Sequence, residues 1–399
     1  MWLLLRRCIA LAELVGLPRA AMTLAQVQET QSSDTNGGGP HTPLERLKQK
    51  AETWESLCAL DRIISMMWSL PLATVNFPLP KKAITDTQGA VIPQSYLYNL
   101  ADIASRVLEL DSIYSSGKPL SELFNAVMRT DHELRSLAGY PPKRWWKIQF
   151  SEPSVDALLQ YWNQYITVRT HLQLALIYDE NKQQFALNFI TCLNACQELA
   201  SRYVALRPIL PMGFFANWVI DMQAFTCAIF LLLASYRITR GSGSFPQAFD
   251  VSFTANLVDQ VVQTMGSSTG RTGEGFAHPA ANAIKSLDSL LRQPQAPEQQ
   301  NISLSLPLVG TIQISRKSGR PTKSQEVPPP TPGGQRTAPF PPSSYADPGV
   351  SMAPTAIPYT SEAMELMDSL SYSMEIPESY PFLTDDIFGG NEQWLTWTG

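Results

Sequence analysis

Apolar residues recur three or four positions apart through most of the first 292 residues, and this helical periodicity constrains the fold more than any other feature. One of its clearest starts is Thr42, where a capping threonine precedes Pro43 at the first helical position and Glu45 completes a capping box. That helix is expected to end at Pro71. Similar stripes predict further helices at roughly 94–116, 119–139, 154–178, 183–206, 213–238, 249–265 and 279–292. The sequence therefore predicts an all-α body over residues 1–292.

The composition changes sharply after this body. Fourteen of the 31 prolines lie between Pro294 and Pro358, including three in succession at 328–330. Proline interrupts helices, and so polar a segment buries little apolar surface. Strand-like alternation appears only in short pieces, such as Ile302, Leu304, Leu306 and Leu308. We therefore interpret residues 293–360 as a mostly disordered, proline-rich linker.

The charge is distributed as unevenly as the proline. All 30 Lys and Arg residues precede Thr337, whereas the 63 residues from there onward carry nine Asp and Glu residues. Residues 361–399 mix these acids with large apolar side chains, a pattern typical of acidic-hydrophobic activation segments. The alternative is a C-terminal helix docked on the body's own core. The most prominent members of this activation-type tail are Phe382, Leu383, Asp385, Asp386, Phe388, Trp394 and Trp397.

Two apolar stretches could be mistaken for targeting or membrane segments. In residues 1–17, Arg6 and Arg7 follow five residues rather than leading, and Glu13 interrupts the apolar run, so we expect an amphipathic or buried helix rather than a signal peptide. Residues 225–236 are about a dozen unbroken apolar positions, fewer than the roughly 20 that span a bilayer. They predict a central core helix, and we expect no membrane partner.

The patterns associated with catalysis are weak. Residues 266–270 match the GxSxG nucleophile pattern, but a helix rather than a strand precedes them, which favours a flexible surface loop. The pair Asp385 and Asp386 lacks the further carboxylate of a helical magnesium site, and the four histidines are scattered. Cys192 and Cys196 share a helical face and are best interpreted as packed thiols. We expect no enzyme. The alternatives are an all-helical enzyme of small-molecule metabolism and a non-catalytic scaffold.

One basic element stands out within the predicted linker. Residues 316–323 contain a Gly-Arg-Pro core that resembles an AT-hook, a peptide that enters the DNA minor groove. The same segment also fits a nuclear import signal or a solvated charge run. Its basic side chains are Arg316, Lys317, Arg320 and Lys323.

Residues 48–78 resemble the signature region of the regulatory domain in fungal zinc-cluster transcription factors. In that family a basic stretch and a tryptophan lead to a Leu-Asp-Arg step, a serine, a Gly-Arg-Pro turn and an extended piece. The matching positions here are Trp54, Asp61, Arg62, Ser65 and Pro71, although the turn has no Gly-Arg. Residues 1–17 are similar to the preceding family helix, and the match extends to about residue 240. The resemblance implies a structural role for Asp61 and Arg62.

The resemblance also implies a nuclear transcription regulator, an activator of a metabolic or secondary-metabolite gene set, whose partners are the transcription machinery or co-regulators. Family members place a six-cysteine zinc cluster ahead of this domain, whereas these 399 residues contain five scattered cysteines. We therefore expect no cofactor in this chain, with zinc only in full-length relatives. We expect DNA contact only through an upstream cluster or indirectly. The sequence leaves open a small-molecule effector and a homodimer.

Overall fold

A computed structural model describes residues 2–31, 43–148, 151–178, 182–210, 216–240, 249–267, 276–292, 302–306 and 310–314, which fall within one unit, Met1–Ser318. These residues form ten α-helices, two short 3-10 helices and one pair of strands. The α-helices are α1 (Trp2–Leu14), α2 (Leu17–Gln31), α3 (Pro43–Trp68), α4 (Pro93–Ser115), α5 (Leu120–Gly139), α6 (Val155–Ile177), α7 (Ala186–Leu206), α8 (Ala216–Arg240), α9 (Val251–Ser267) and α10 (Ala277–Arg292). The predicted all-α body is confirmed.

The prediction of one helix over residues 1–17 is wrong about where that helix ends. Helix α1 stops at Leu14, and the chain turns through Gly16, whose φ of 79° lies in the left-handed region that favours glycine. Helix α2 then starts at Leu17 and leaves at an angle of 59° to α1. Other boundaries follow local chemistry: Ser154 caps α6 by accepting a hydrogen bond from the backbone N–H of Ala157.

The helices enclose two apolar clusters. The larger one is built around α6, which packs against α4, α5 and α7, and around α8, which packs against α7, α9 and α10. Helix α3 packs against α2 and α4. The smaller cluster joins α1 to α3 through Leu5, Ile9 and Trp54, among others. The site described below lies beside this smaller cluster.

Helix α8 contains the predicted core helix. Among the described residues, Asn217–Thr239 is the one helix long and apolar enough by itself to cross a membrane. Helices α1 and α2, which are bent relative to each other, meet the same criterion only when they are taken together. The most apolar part of α8, however, is 83% buried inside the fold. The hydropathy of α8 therefore reflects its place among α7, α9 and α10.

Two strands follow the helices. Strand β1 (Ile302–Leu306) pairs antiparallel with β2 (Gly310–Ile314), with Ile302 opposite Ile314 and Leu306 opposite Gly310. They lie within the segment predicted as a linker, and β1 coincides with the strand-like alternation of its sequence. Residues 315–399 lie outside the described residues, so the remainder of the linker and the activation-type tail stay predictions.

Candidate functional site

Asp61 places a carboxylate in the middle of α3, where its side chain is fully buried. Its Oδ2 atom accepts hydrogen bonds from the backbone N–H groups of Ala73 and Thr74 and from the Thr74 hydroxyl, each 2.9 Å long. Burying a carboxylate is costly unless donors replace its lost water, and these three donors do so. They also hold the segment that follows α3 against the side of the helix.

Arg6 of α1 approaches the same carboxylate from the other side. Its Nη1 atom lies 3.5 Å from Asp61 Oδ1, and its Nη2 atom donates a hydrogen bond to the carbonyl of Pro71. The guanidinium also lies over the ring of Trp2, 4.7 Å from the centroid. One arginine therefore joins α1, α3 and the residues after α3.

Arg62, the next residue on α3, fixes the far end of the same segment. Its guanidinium donates to the carbonyl of Cys58 at 3.1 Å and to the carbonyl of Phe77 at 2.7 Å. The ring of Phe77 packs edge-on against Trp54, with 5.0 Å between the ring centroids. Because the planar guanidinium can reach two carbonyls at once, Arg62 ties the extended backbone to a turn of α3.

Ser65 and the turn after α3 complete the arrangement. The Ser65 hydroxyl lies 3.4 Å from both Asp61 Oδ1 and the Pro71 carbonyl, at the outer limit of hydrogen bonding. Ser69 has a φ of 49°, which is a left-handed conformation. It occupies the position where the signature of the fungal zinc-cluster regulatory domain has glycine. We refer to Arg6, Asp61, Arg62, Ser65 and Thr74 as the α3 clamp.

The five signature residues predicted from the sequence therefore lie together around residues 71–78. Every Asp61 oxygen faces donors from within the chain, so the carboxylate has no position open for a substrate or an ion. Sequence reasoning missed Arg6 and Thr74, because they lie 55 and 13 residues from Asp61 and no periodic pattern links them. The role that this arrangement supports is a structural one.

A second polar junction lies where α3 ends. Asp111 of α4 accepts hydrogen bonds from Arg169 at 2.7 Å, from the Ser69 hydroxyl at 2.8 Å and from Gln173 at 2.9 Å. Arg169, which is 6% exposed, also reaches the Ser69 hydroxyl at 3.1 Å. This junction joins α4 and α6 to the turn after α3, and it too was missed by sequence reasoning.

His171 of α6 is fully buried between two partners. Its Nε2 lies 3.1 Å from Asp131 Oδ1, and its Nδ1 lies 3.0 Å from the Asn188 amide. Burial raises the pKa of Asp131, but hydrogen bonds from His171 and Arg135 outweigh it and leave that pKa lowered. Because both ring nitrogens are occupied, this histidine has none left to act as a base or a metal ligand.

Three thiols lie together in the core. Cys196 of α7 neighbours both Cys192, one turn earlier on the same helix, and Cys227 of α8, and all three are buried and free. Burial and the neighbouring thiols raise the pKa of Cys196, so its reactive thiolate form is disfavoured. In the part of the chain that the structure describes, no group of three or more His, Cys, Asp or Glu residues is placed to hold a metal ion. The thiols are packed, as their helical spacing predicted.

Two surface pockets offer room for small molecules. A groove of about 760 Å³ over α5 is lined by Glu122, Asn125, Met128, Arg129, His132 and Glu133. A smaller one of about 240 Å³ lies between α7 and α9 and includes Phe253. Both are open to solvent, and neither involves the α3 clamp.

The remaining sequence predictions fall mostly outside the described residues. Helix α9 continues through Gly266 to Ser267, so the start of the GxSxG pattern follows a helix and not the buried strand that a nucleophile elbow requires. The basic element with Arg316, Lys317, Arg320 and Lys323 lies outside the described residues. So does the activation-type tail with Phe382, Leu383, Asp385, Asp386, Phe388, Trp394 and Trp397.

Comparison with known proteins gives distant relatives. No protein-family model matches the chain, and no solved structure matches it. The chain is 24% identical over 309 residues to a protein of Aspergillus terreus named as a dehydrocurvularin biosynthesis regulator, a match that covers 69% of this chain and 41% of the relative. It is 23% identical over 347 residues to a protein of the same name from Alternaria cinerariae, covering 77% and 43%.

A third relative is a probable transcription factor, gsfR1, of Penicillium aethiopicum. The two are 20% identical over 337 residues, covering 79% of this chain and 46% of the relative. The chain spans less than half the length of each of these three relatives. The names of these relatives describe regulators and transcription factors rather than enzymes.

Proposed function

We propose that this chain is a nuclear transcription regulator of the fungal zinc-cluster type, an activator of a metabolic or secondary-metabolite gene set. The observation that carries the proposal is the shared naming of its relatives, which match 69–79% of the chain and are called regulators or transcription factors. The resemblance of residues 48–78 to the family's signature region supports the zinc-cluster type. In this proposal, these 399 residues themselves recognise little or no DNA sequence directly.

The geometry supports a function by binding rather than by catalysis. The polar groups that sequence and structure single out in the body, Asp61, Asp111 and His171, bond to groups of the same chain. These internal bonds leave the three groups unavailable for acid–base chemistry, which needs a titratable group within reach of a substrate. A body with this construction serves to position other segments and partners.

In this proposal the regulatory output lies in residues 361–399, the activation-type tail. Acids keep its large apolar side chains in water until a groove on the transcription machinery or a co-regulator accepts them. The basic element at 316–323 serves nuclear import. An effector small molecule would enter through a surface groove such as the one over α5.

Fusion of residues 337–399 to a foreign DNA-binding domain tests the activation function. We expect the fusion to raise reporter output, because in this proposal the segment itself makes the activating contacts. Replacing Phe382, Leu383 and Phe388 together by serine should abolish the increase. A matched control replaces three other apolar residues outside this group, Met364, Met367 and Leu370, and should retain more activity. Output equal to that of the DNA-binding domain alone would remove the activation claim.

A further inference from the structure

The outward face of α1 is apolar, although it is exposed to solvent. The inward face, with Leu5, Ile9 and Ala12, is buried against α3, as expected for a packed helix. The outward face of such a helix is expected to be polar. Its large apolar side chains are instead Leu3, Leu4, Leu11, Leu14 and Val15, which are 69%, 57%, 61%, 83% and 68% exposed. An exposed apolar face of this extent marks an interaction site.

Four exposed positions on this face have the spacing of a seam between paired helices. Leu4, Cys8, Leu11 and Val15 follow one another at intervals of four, three and four residues, so they fall within about 60° around the helix. The backbone N–H of Val15 donates to the Leu11 carbonyl at 3.0 Å, so helical geometry continues to the end of this set. Apolar residues at alternating intervals of three and four are the pattern by which two helices pack side by side. We call these four residues the α1 seam.

The α1 seam is complementary to itself when a second copy runs antiparallel. A two-fold axis between positions 9 and 10 places Leu4 opposite Val15 of the second copy and Cys8 opposite Leu11 of the second copy. The symmetry repeats both contacts, as in any interface that pairs one patch with itself. Each layer then combines a larger and a smaller apolar side chain, which lets facing side chains interdigitate. No charged side chain lies within the four layers.

The area of the outward face is sufficient for a weak dimer. Its five apolar side chains expose on the order of 500 Å² in one copy, within the range of surface patches that often prove functional. Two such faces brought together would bury about 1,000 Å², the size at which specific interfaces begin. Interfaces of larger area already include micromolar complexes, so we expect a dimer that dissociates on dilution through the micromolar range.

Arg7 flanks the α1 seam and determines how the dimer should respond to charge. It lies about 60° around the helix from Leu4, so in the antiparallel pair its stem covers Leu14 of the second copy while the guanidinium remains in water. The two arginines lie on the same side of the interface and repel each other. Glu13, the acidic residue of α1, lies about 180° from Leu4 and cannot offset them. Because salt screens this repulsion, the dimer should tighten as the ionic strength rises, whereas an acidic partner would be released.

We infer that the outward face of α1, with the α1 seam at its centre, is the surface through which two copies of this chain form an antiparallel, two-fold symmetric dimer. In a regulator, such a dimer would bring two copies of each partner-binding segment to the same target and raise their effective concentration there. Dimerisation is measured without a transcription assay. Its failure and the failure of the proposed function are therefore separate results.

Sedimentation velocity of the full 399-residue chain over a micromolar concentration series measures the association. We expect the mass to rise from that of one chain toward that of two. Leu4→Lys with Leu11→Lys places four ammonium groups in the seam of a dimer, so the dissociation constant should rise at least about tenfold. The matched control, Leu120→Lys with Leu187→Lys, changes two exposed leucines of α5 and α7 and should leave the dissociation constant unchanged.

Arg7→Gln tests the pairing geometry in the opposite direction. It removes the repelling charges beside the seam, so the dissociation constant at low salt should fall severalfold and should depend less on salt. The chain carries a net charge of −5, so the loss of a positive charge away from the interface would increase the overall repulsion between copies. Arg144→Gln, at an exposed position outside α1, is the control and should not tighten the dimer.

Cys8 gives a covalent readout of the same contact. It is the exposed cysteine among the five of the chain, and the antiparallel pairing offsets the two Cys8 thiols by about 4.5 Å along the helices. A short bismaleimide should therefore link two chains, each thiol adding across one maleimide double bond and passing its proton to the ring carbon. Cys8→Ser should remove the linked dimer, and so should Leu4→Lys with Leu11→Lys.

Urea unfolding checks that each variant keeps its folded body, and the crosslinking of the wild-type chain needs no substitution at all. A wild-type chain that stays monomeric throughout the concentration series would overturn the inference. So would equal weakening by the two double-lysine variants, or crosslinking that persists in Cys8→Ser, because either result would place the contact elsewhere. An Arg7→Gln variant that dimerises less well than the wild-type chain would also contradict it.

Discussion

The guanidinium of Arg6 and the carboxylate of Asp61 lie 3.5 Å apart, and this pair joins the first helix of the body to the third. The carboxylate is fully buried, whereas the arginine side chain is 20% exposed. A pair of this kind adds little net stability over an apolar replacement, but removing one partner leaves the other charge uncompensated. The consequences of breaking it follow from that asymmetry.

Replacement of Asp61 by Asn should destabilise the body by about 3 kcal/mol, the lower end for a broken buried pair because Arg6 keeps some contact with water. The amide would also turn an N–H group toward donors that need an acceptor. Urea unfolding of the full chain measures the change. Glu55→Gln, on the same helix but paired with the exposed Lys82, should cost less than about 1 kcal/mol. Equal losses in the two variants would contradict the clamp.

Two substitutions of Ser69 separate the contribution of its hydroxyl group from the strain of its backbone conformation. Ser69→Ala removes the hydroxyl that bonds to Asp111 but keeps a Cβ at a φ of 49°. Ser69→Gly also loses the hydroxyl but relieves the left-handed strain. We therefore expect the glycine variant to be about 1 kcal/mol more stable than the alanine variant by thermal unfolding. An alanine variant as stable as the glycine variant would show that the turn is not strained.

Arg62→Lys should release the segment after α3 while keeping the charge. An ammonium group cannot reach the carbonyls of Cys58 and Phe77 in the same planar geometry. Trypsin should then cleave after the neighbouring Lys81 or Lys82 several times faster than in the wild-type chain. Arg106→Lys, in a surface pair with Glu133, is the control and should leave cleavage unchanged. Equal cleavage in all three proteins would count against the proposed role of Arg62.

Asp131 should make the stability of the body depend on acid pH. Its pKa is lowered in the folded chain, so its contribution is complete above the ordinary carboxyl pKa and is lost as the pH falls through the folded value. The destabilisation by Asp131→Asn should therefore be largest near pH 7 and shrink below about pH 4. Urea midpoints at a series of pH values measure this trend.

Asp156 provides a contrast of opposite sign. Burial raises the pKa of Asp156 more than the nearby indole of Trp145 lowers it, so the ionised form of Asp156 is disfavoured by folding. Asp156→Asn should be neutral or stabilising at pH 7, and any gain should disappear in acid. The same pH trend in the Asp131 and Asp156 variants would contradict the two assignments.

Local patterns predicted most of the helices, because caps and apolar stripes act within a few residues of each other. Helix α3 starts at Pro43, as expected from the capping box, and Ser154 caps α6. The break at Gly16 escaped prediction, since apolar residues continue on both sides of it. Gly16 and the nearby Pro18 were the local signals of that turn.

The polar junctions could not be predicted without the tertiary structure. Family resemblance identified Asp61 and Arg62, but their partners come from an extended segment and from α1. The contact of Asp131 with His171 spans 40 residues, and the contact of Asp111 with Arg169 spans 58. No spacing rule relates residues that meet only when separate helices pack.

The most direct test of the regulator account is genome-wide transcript measurement in the source organism during induced expression of the full chain. We predict that a limited set of biosynthetic genes rises severalfold, and that the variant with serine at Phe382, Leu383 and Phe388 fails to raise it despite equal protein abundance. An unchanged transcript profile, or the same profile from both proteins, would contradict the central claim that this chain regulates transcription through its tail.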